Sequence, residues 1–170
     1  DELFALQAAA AKLTGLDPAT AEFEQPVSLR ILADHARSTS LLVSDGVFPS
    51  NEARGYVLRR ILRRAVRHAY ILGVESPVMG GMVDAVIEIM GVDYPELAAN
   101  HQFVRDVIDR EEVRFRETLR KGQAILDEQL DSLADGAALP GDVAFLLHDT
   151  YGFPLEVTQE IAGERSVEVD

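Results

Sequence analysis

Apolar residues recur at intervals of three and four along almost the whole chain, and this helical period most constrains how the chain can fold. The clearest stripe, between about residues 100 and 134, consists of Val104, Ile108, Phe115, Leu119, Leu126, Leu130 and Leu133. The alternation that would indicate strands is absent except in the terminal residues 167–169. The sequence therefore predicts an all-α, multi-helix bundle with one long helix.

Turn and cap residues divide this pattern into separate helices. The predicted helices cover residues 2–14, 28–44, 52–72, 77–90, 100–134, 142–150 and 155–163. Gly15 and the turn Asp17-Pro18 end the first helix, and Ser28 is expected to cap the second. The chain is long enough for one domain or for two helical subdomains, which we would place at 1–75 and 76–170.

The third predicted helix concentrates positive charge, with six arginines in the fourteen positions 54–67. Its apolar residues centre on one face, whereas the opposite face carries Tyr56 and the arginines Arg59, Arg60, Arg63, Arg64 and Arg67. Arginine suits phosphate because its planar fork binds two oxygens, so these five residues are candidates for contact with a nucleic-acid backbone. A solvated face, or one paired with acidic helices of the same domain, is an equally open alternative.

The rest of the chain is strongly acidic. Residues 51–68 contain six Arg and one Glu, a net charge of +5, so the other 152 residues carry −18 of the total of −13. Such a distribution confines any nucleic-acid contact to the basic face. The run from Asp109 to Glu112 predicts a solvated helix face with ion pairs along it. His35 and His68 have no second ligand at metal spacing, so we expect no metal site.

Composition excludes several other classes of protein. The chain has no cysteine, which fits a reducing compartment and a cytoplasmic location, and no apolar run long enough to span a membrane. It begins without Met and without the basic and apolar segments of a signal peptide. We therefore expect an excerpt of a larger cytoplasmic protein.

Three blocks resemble the helical tRNA-recognition region of alanyl-tRNA synthetase. They are DHARSTSLLVSDGVFPSNEARGYVLRRILRRAVRH, MGVDYPELAANHQFVRDVIDREEVRFRETLRKG and FLLHDTYGFPLEVTQEI, in this order. The resemblance implies that residues 1–170 form a domain that recognises the acceptor stem of tRNA(Ala), between catalytic and editing domains that lie elsewhere in the parent. It implies no cofactor for this segment, ATP with magnesium for the parent's catalytic domain, and zinc for its editing domain. We expect this segment alone to be inactive as an enzyme.

The family reads a G·U wobble pair, and the resemblance places this readout on Asn51 and Asp149. A wobble pair leaves the guanine amino group free in the minor groove and presents uracil O4 in the major groove, so its reader needs an acceptor and a donor. Each residue has a structural alternative, since Asn51 suits a helix N-cap and Asp149 suits an Asx turn. The alternative for the whole chain is an all-helical protein-interaction module without RNA binding.

Overall fold

The computed structural model describes residues 2–16, 26–134 and 136–170, and these residues contain eight helices. The helices are α1 (Glu2–Thr14), α2 (Pro26–Ser44), α3 (Ala53–Ile71), α4 (Met79–Met90), α5 (Pro95–Ala99), α6 (His101–Asp131), α7 (Gly141–Asp149) and α8 (Leu155–Glu164). The predicted all-α fold is confirmed, and α6 with 31 residues is the long helix. The only β-pairing within the described ranges is one bridge between Leu139 and Val169.

The start of α2 and the helix α5 differ from the prediction. The start of α2 lies at Pro26, and Ser28 is not its cap: its buried hydroxyl lies 3.0 Å from Nδ1 of His68 on α3. The one-turn helix α5 was not predicted, because five residues are too few to show a period, although Pro95 at its first position is typical of a helix start. The predicted turn at Asp17-Pro18 lies outside the described residues.

The structure divides into two compact units, Asp1–Val113 and Arg114–Asp170, with the boundary inside α6 rather than at the suggested residue 75. In the first unit α2 packs against α1, α3, α4 and α5. Its core is aliphatic and tightly filled, with fully buried side chains at Leu6, Leu32, Leu58, Leu62, Met79, Met82, Leu97 and Ile108. No helix in the described part of the chain has the length and apolarity that a membrane span requires.

The second unit contains the C-terminal part of α6 with α7 and α8, which pack against each other. Its buried centre includes Phe115, Leu119, Leu126, Leu147, Phe153 and Val157. The Phe153 ring lies directly over Gly122 of α6, where any Cβ would collide with it. Gly122 therefore fixes how closely the turn between α7 and α8 approaches α6.

Candidate nucleic-acid interface

The arginine face of α3 contains two kinds of arginine. Arg60 and Arg64 are exposed, and the Arg60 guanidinium lies 5.8 Å from the centre of the half-exposed Tyr56 ring, within cation–π range. Arg59, Arg63 and Arg67 are partly buried. The exposed pair is therefore the part of this face that solvent, and any polyanion in solution, can reach directly.

Arg59 and Arg63 share a buried carboxylate of α6. Their Nε atoms lie 3.1 and 2.9 Å from Oε1 of Glu111, whose side chain is only 5% exposed. A buried carboxylate is costly unless cations and hydrogen bonds compensate it. Both guanidinium groups supply positive charge, and Arg63 also donates a hydrogen bond. Arg59 and Arg63 are therefore paired with an acid of their own unit, which is one of the alternatives given for the arginine face.

The neighbouring acid Glu112 is also buried and closes the N-terminus of α4. Its carboxylate accepts the backbone N–H groups of Val78 and Met79 at 3.0 and 2.7 Å. A carboxylate is favourable there because these N–H groups lack helical partners and carry the positive end of the helix dipole. The predicted solvated face is wrong for Glu111 and Glu112.

Asn51 lies in the turn before α3 and does not cap that helix. The N-cap position is Glu52, which makes no side-chain cap hydrogen bond, and the N–H of Glu52 donates to the Ser50 hydroxyl at 3.4 Å. The exposed Asn51 side chain instead accepts a hydrogen bond at Oδ1 from Nη1 of Arg59. Because guanidinium groups only donate, this contact fixes the carboxamide oxygen inward, and the NH₂ group makes no hydrogen bond to any described residue.

Three further contacts hold the turn that carries Asn51. Arg59 Nη2 donates to the carbonyl of Pro49 at 3.4 Å, and the Phe48 ring packs edge-on against Phe103 of α6 at 5.7 Å. The N–H of Ser50 donates to the carbonyl of Gly55 at 3.2 Å. A Cβ at Gly55 would collide with the Ser50 hydroxyl and the Phe48 carbonyl, so glycine permits this close approach.

Asp149 ends α7 in the second unit and does not form the predicted alternative, an Asx turn. Backbone bonds close this turn instead: Gly152 N–H donates to the His148 carbonyl at 3.1 Å, and Phe153 N–H donates to the Leu147 carbonyl at 2.9 Å. Gly152 takes the left-handed φ of +69° that such a helix ending requires. The Asp149 carboxylate is exposed and makes no hydrogen bond within the described residues.

Two histidines of the first unit, His35 and His68, lie on the packed helices α2 and α3. Burial, followed by the positive charges of Arg67 and Arg64 and by His35, lowers the pKa of His68 to about 4. Burial also lowers the pKa of His35, against the opposing hydrogen bond to the Asp34 carboxylate. The hydrogen bond between the Ser28 hydroxyl and Nδ1 of His68, at 3.0 Å, ties α2 to α3. Within the described ranges, no three acids or histidines are grouped to hold a metal ion.

The structure places Asn51 and all five predicted arginines in the first unit and Asp149 in the second. Sequence reasoning missed Glu111, which organises Arg59 and Arg63. A signal was present, because Glu111 follows Ile108 by three positions and precedes Phe115 by four, and so falls on the apolar stripe of α6. An acid on such a stripe needs a cationic partner, and α3 supplies two.

Comparison with known sequences identifies the class of protein. The whole chain, residues 1–170, matches the family described as tRNA synthetases class II (A), and it belongs to that family. Among its relatives are alanine–tRNA ligases of Cereibacter sphaeroides, Paracoccus denitrificans and Nitrobacter winogradskyi, which are 52%, 49% and 48% identical over 83%, 95% and 100% of this chain. The chain spans only 16 to 19% of the length of these relatives. The family resemblance is thus confirmed, whereas the placement of this chain as the middle region of such a ligase stays a prediction.

Proposed function

We propose that this chain is the part of an alanine–tRNA ligase that recognises the acceptor stem of tRNA(Ala) through a G·U wobble pair. The observation that carries the proposal is the orientation of the Asn51 carboxamide. Arg59 donates a hydrogen bond to the carboxamide oxygen, so the NH₂ group of Asn51 is the part that is free to donate to a ligand. A second candidate group, the Asp149 carboxylate, is exposed and accepts hydrogen bonds only.

These two groups match the chemistry of a wobble pair. Uracil O4 in the major groove requires a donor, which is the Asn51 amide, and the free guanine amino group in the minor groove requires an acceptor, which is Asp149. The major groove of A-form RNA is normally too narrow for side chains, but it is more open near the end of a stem. Base readout by this pair of residues is therefore proposed for a position close to the stem end.

Arg60 and Arg64 are the exposed members of the arginine face, and we assign them to the RNA backbone. Arg59, Arg63 and Arg67 add positive potential from partly buried positions. Phosphate contacts of this kind orient an RNA without reading its sequence. The remaining surface is acidic enough to repel RNA elsewhere, which favours one mode of approach.

Attachment of alanine to tRNA with ATP is proposed for the longer protein and not for this segment. ATP with magnesium would act in a catalytic domain and zinc in an editing domain, as the resemblance implies. Alanine-dependent pyrophosphate exchange with ATP measures the first half-reaction, and we expect none from the 170-residue chain. Exchange above background would contradict this assignment.

Binding of two acceptor-stem hairpins tests the recognition function directly. One hairpin carries G·U and the other G·C at the recognition pair, and we expect the 170-residue chain to prefer G·U. Charging of the same hairpins by the full-length ligase gives an independent readout of the preference. Equal affinity and equal charging for the two hairpins would contradict the proposal. Absence of any RNA binding in both proteins would favour the protein-interaction alternative.

A further inference from the structure

The donor polarity of Asn51 depends on a chain of contacts that runs through Arg59 into the interior. Arg59 reaches Asn51 and Pro49 with its two terminal nitrogens, and its Nε lies 3.1 Å from the buried carboxylate of Glu111, in an ion pair without hydrogen-bond geometry. The guanidinium is planar and rigid, so the ion pair and the two terminal hydrogen bonds together restrict its orientation. Each link joins residues of the first unit.

The hydrogen bond that Arg59 donates to Asn51 Oδ1 decides which end of the Asn51 carboxamide faces outward. An unheld carboxamide can rotate and exchange its oxygen and nitrogen positions, presenting an acceptor as readily as a donor. Toward uracil O4 an acceptor oxygen would be repulsive. Arg59 removes that alternative, because rotation of the carboxamide would set two donors against each other.

We propose that Arg59 is a positioning residue for base readout, anchored by Glu111, and that it acts through Asn51 rather than through an RNA phosphate. The inference rests on the proposed function, since it assigns Arg59 a role in G·U recognition. It also separates Arg59 from its neighbour Arg60, which is exposed and faces Tyr56. In this proposal Arg59 contributes to the preference for G·U, whereas Arg60 contributes to RNA affinity independently of sequence.

Arg63 provides a matched control. It shares Oε1 of Glu111 with Arg59, lies one helical turn further along α3, and is not the guanidinium that holds Asn51. We compare Arg59→Met with Arg63→Met, which remove the same charge from the same buried carboxylate and keep an unbranched stem of similar length. Arg59→Lys is the milder variant, because lysine retains the charge but cannot bridge Glu111 and Asn51 with one planar group.

Binding to the G·U and G·C hairpins, measured over a range of salt concentrations, separates the possible roles. We expect both Arg59 variants to lower the G·U to G·C preference by about 5-fold or more, which is the lower limit for loss of one directional base contact. Arg63→Met should weaken both hairpins by similar factors and leave the preference unchanged. An Arg59 variant with an unchanged preference and a reduced salt slope would overturn the inference and assign Arg59 to the RNA backbone.

The ordering of Asn51 can be measured without RNA. In the free chain, ¹⁵N relaxation of the Asn51 side-chain amide should report a rigid group in the unmodified protein and in Arg63→Met, and a mobile one in Arg59→Lys and Glu111→Gln. Equal rigidity in all four proteins would overturn the inference and leave the proposed function intact. A rigid amide together with no G·U preference in the unmodified protein would overturn the proposed function and, with it, this role. Circular dichroism identifies any variant that fails to fold, and the role of Arg59 is then judged from the folded variants.

Discussion

Asn51 and Asp149 each stand beside a helix terminus, and in both cases other groups satisfy that terminus. Ser50 accepts the N–H of Glu52 before α3, and backbone bonds with Gly152 in a left-handed conformation close the end of α7. Asp149 even opposes the dipole at the C-terminus of its helix. Neither side chain caps its helix, which is why both are candidates for an external ligand.

Substitution at these two residues should change hairpin discrimination more than stability. Each directional base contact is worth about 1 to 3 kcal/mol, or about 5- to 150-fold in preference. Asn51→Asp should be worse than Asn51→Ala, because it keeps an oxygen for Arg59 but replaces the outward donor with a charged acceptor. Asp149→Asn should give a partial loss, since it retains one acceptor oxygen without the charge. Measured affinities for G·U and G·C hairpins test all three variants, and undiminished preference in Asn51→Ala would remove Asn51 from the site.

His68 should make the first unit less stable as the pH falls. Its folded-state pKa of about 4 lies below the unfolded value of 6.5, so between these values the unfolded chain binds a proton that the folded chain does not. The free energy of unfolding should therefore fall from pH 6.5 to 4, by less than the full ~1.4 kcal/mol per pH unit because solvent screens this partly buried ring.

Urea unfolding at several pH values measures this contribution of His68. His68→Asn keeps an acceptor for the Ser28 hydroxyl but cannot titrate, so its stability should depend less steeply on pH in that window. The control His148→Asn makes the same substitution at an exposed histidine of the second unit. Identical pH profiles for His68→Asn and the unmodified protein would contradict the lowered pKa.

At the level of helices, the sequence predicted what local periodicity and turn residues determine. Seven helices were found, with ends within about three residues, and the wrong boundaries have long-range causes. At the start of α4, the N–H of Met79 donates to Glu112 of α6, which lies thirty-three positions further along the chain. At the start of α2, the Ser28 hydroxyl makes a hydrogen bond with His68 instead of capping the helix. The apolar stripe of α6 indicates a buried position for Glu111, but its pairing with Arg59 in particular could not be predicted, because it depends on which helices become neighbours. The proposed base-readout residues Asn51 and Asp149 could be named only through the family resemblance.

Replacement by alanine should change stability in opposite directions at two helical glycines, Gly163 and Gly122. Alanine normally stabilises a helix interior by up to about 1 kcal/mol relative to glycine. At Gly163 of α8 a Cβ meets nothing within 4 Å, so Gly163→Ala should be neutral or stabilising. At Gly122 the Cβ would collide with Phe153, so Gly122→Ala should destabilise the second unit by about 1 to 3 kcal/mol despite its better helix propensity.

Urea unfolding and amide hydrogen exchange of residues 145–153 distinguish these outcomes. Faster exchange there in Gly122→Ala would show that Phe153, and with it the turn after Asp149, has been displaced. Equal stability of Gly122→Ala and Gly163→Ala would mean that the second unit accommodates the extra methyl group without loss. In that case Gly122 would have no part in positioning Asp149.

For the molecule as a whole, charge is distributed so that one helix is basic and the rest is acidic. The net charge of −13 would keep RNA away from a uniform surface, and the exposed Arg60 and Arg64 create a local exception. The buried acid Glu111 offsets part of the positive charge of Arg59 and Arg63, whereas Arg60 and Arg64 are open to solvent. RNA binding by such a surface should be weak in high salt and limited to one face.

Removal of one exposed arginine should therefore reduce both affinity and its salt dependence. Each phosphate contact contributes a little less than one unit to the slope of log K against log salt, because binding releases a condensed counterion. Arg60→Ala and Arg64→Ala should each weaken the G·U and G·C hairpins by similar factors and flatten the slope by less than about one unit. Arg165→Ala is the control: it changes the net charge equally, but Arg165 is paired with Asp127 and Asp131 at 2.7 and 2.6 Å, so the slope should stay the same. If the slopes of Arg60→Ala and Arg64→Ala match that of Arg165→Ala, the exposed face of α3 does not contact phosphate, and recognition must depend on other residues.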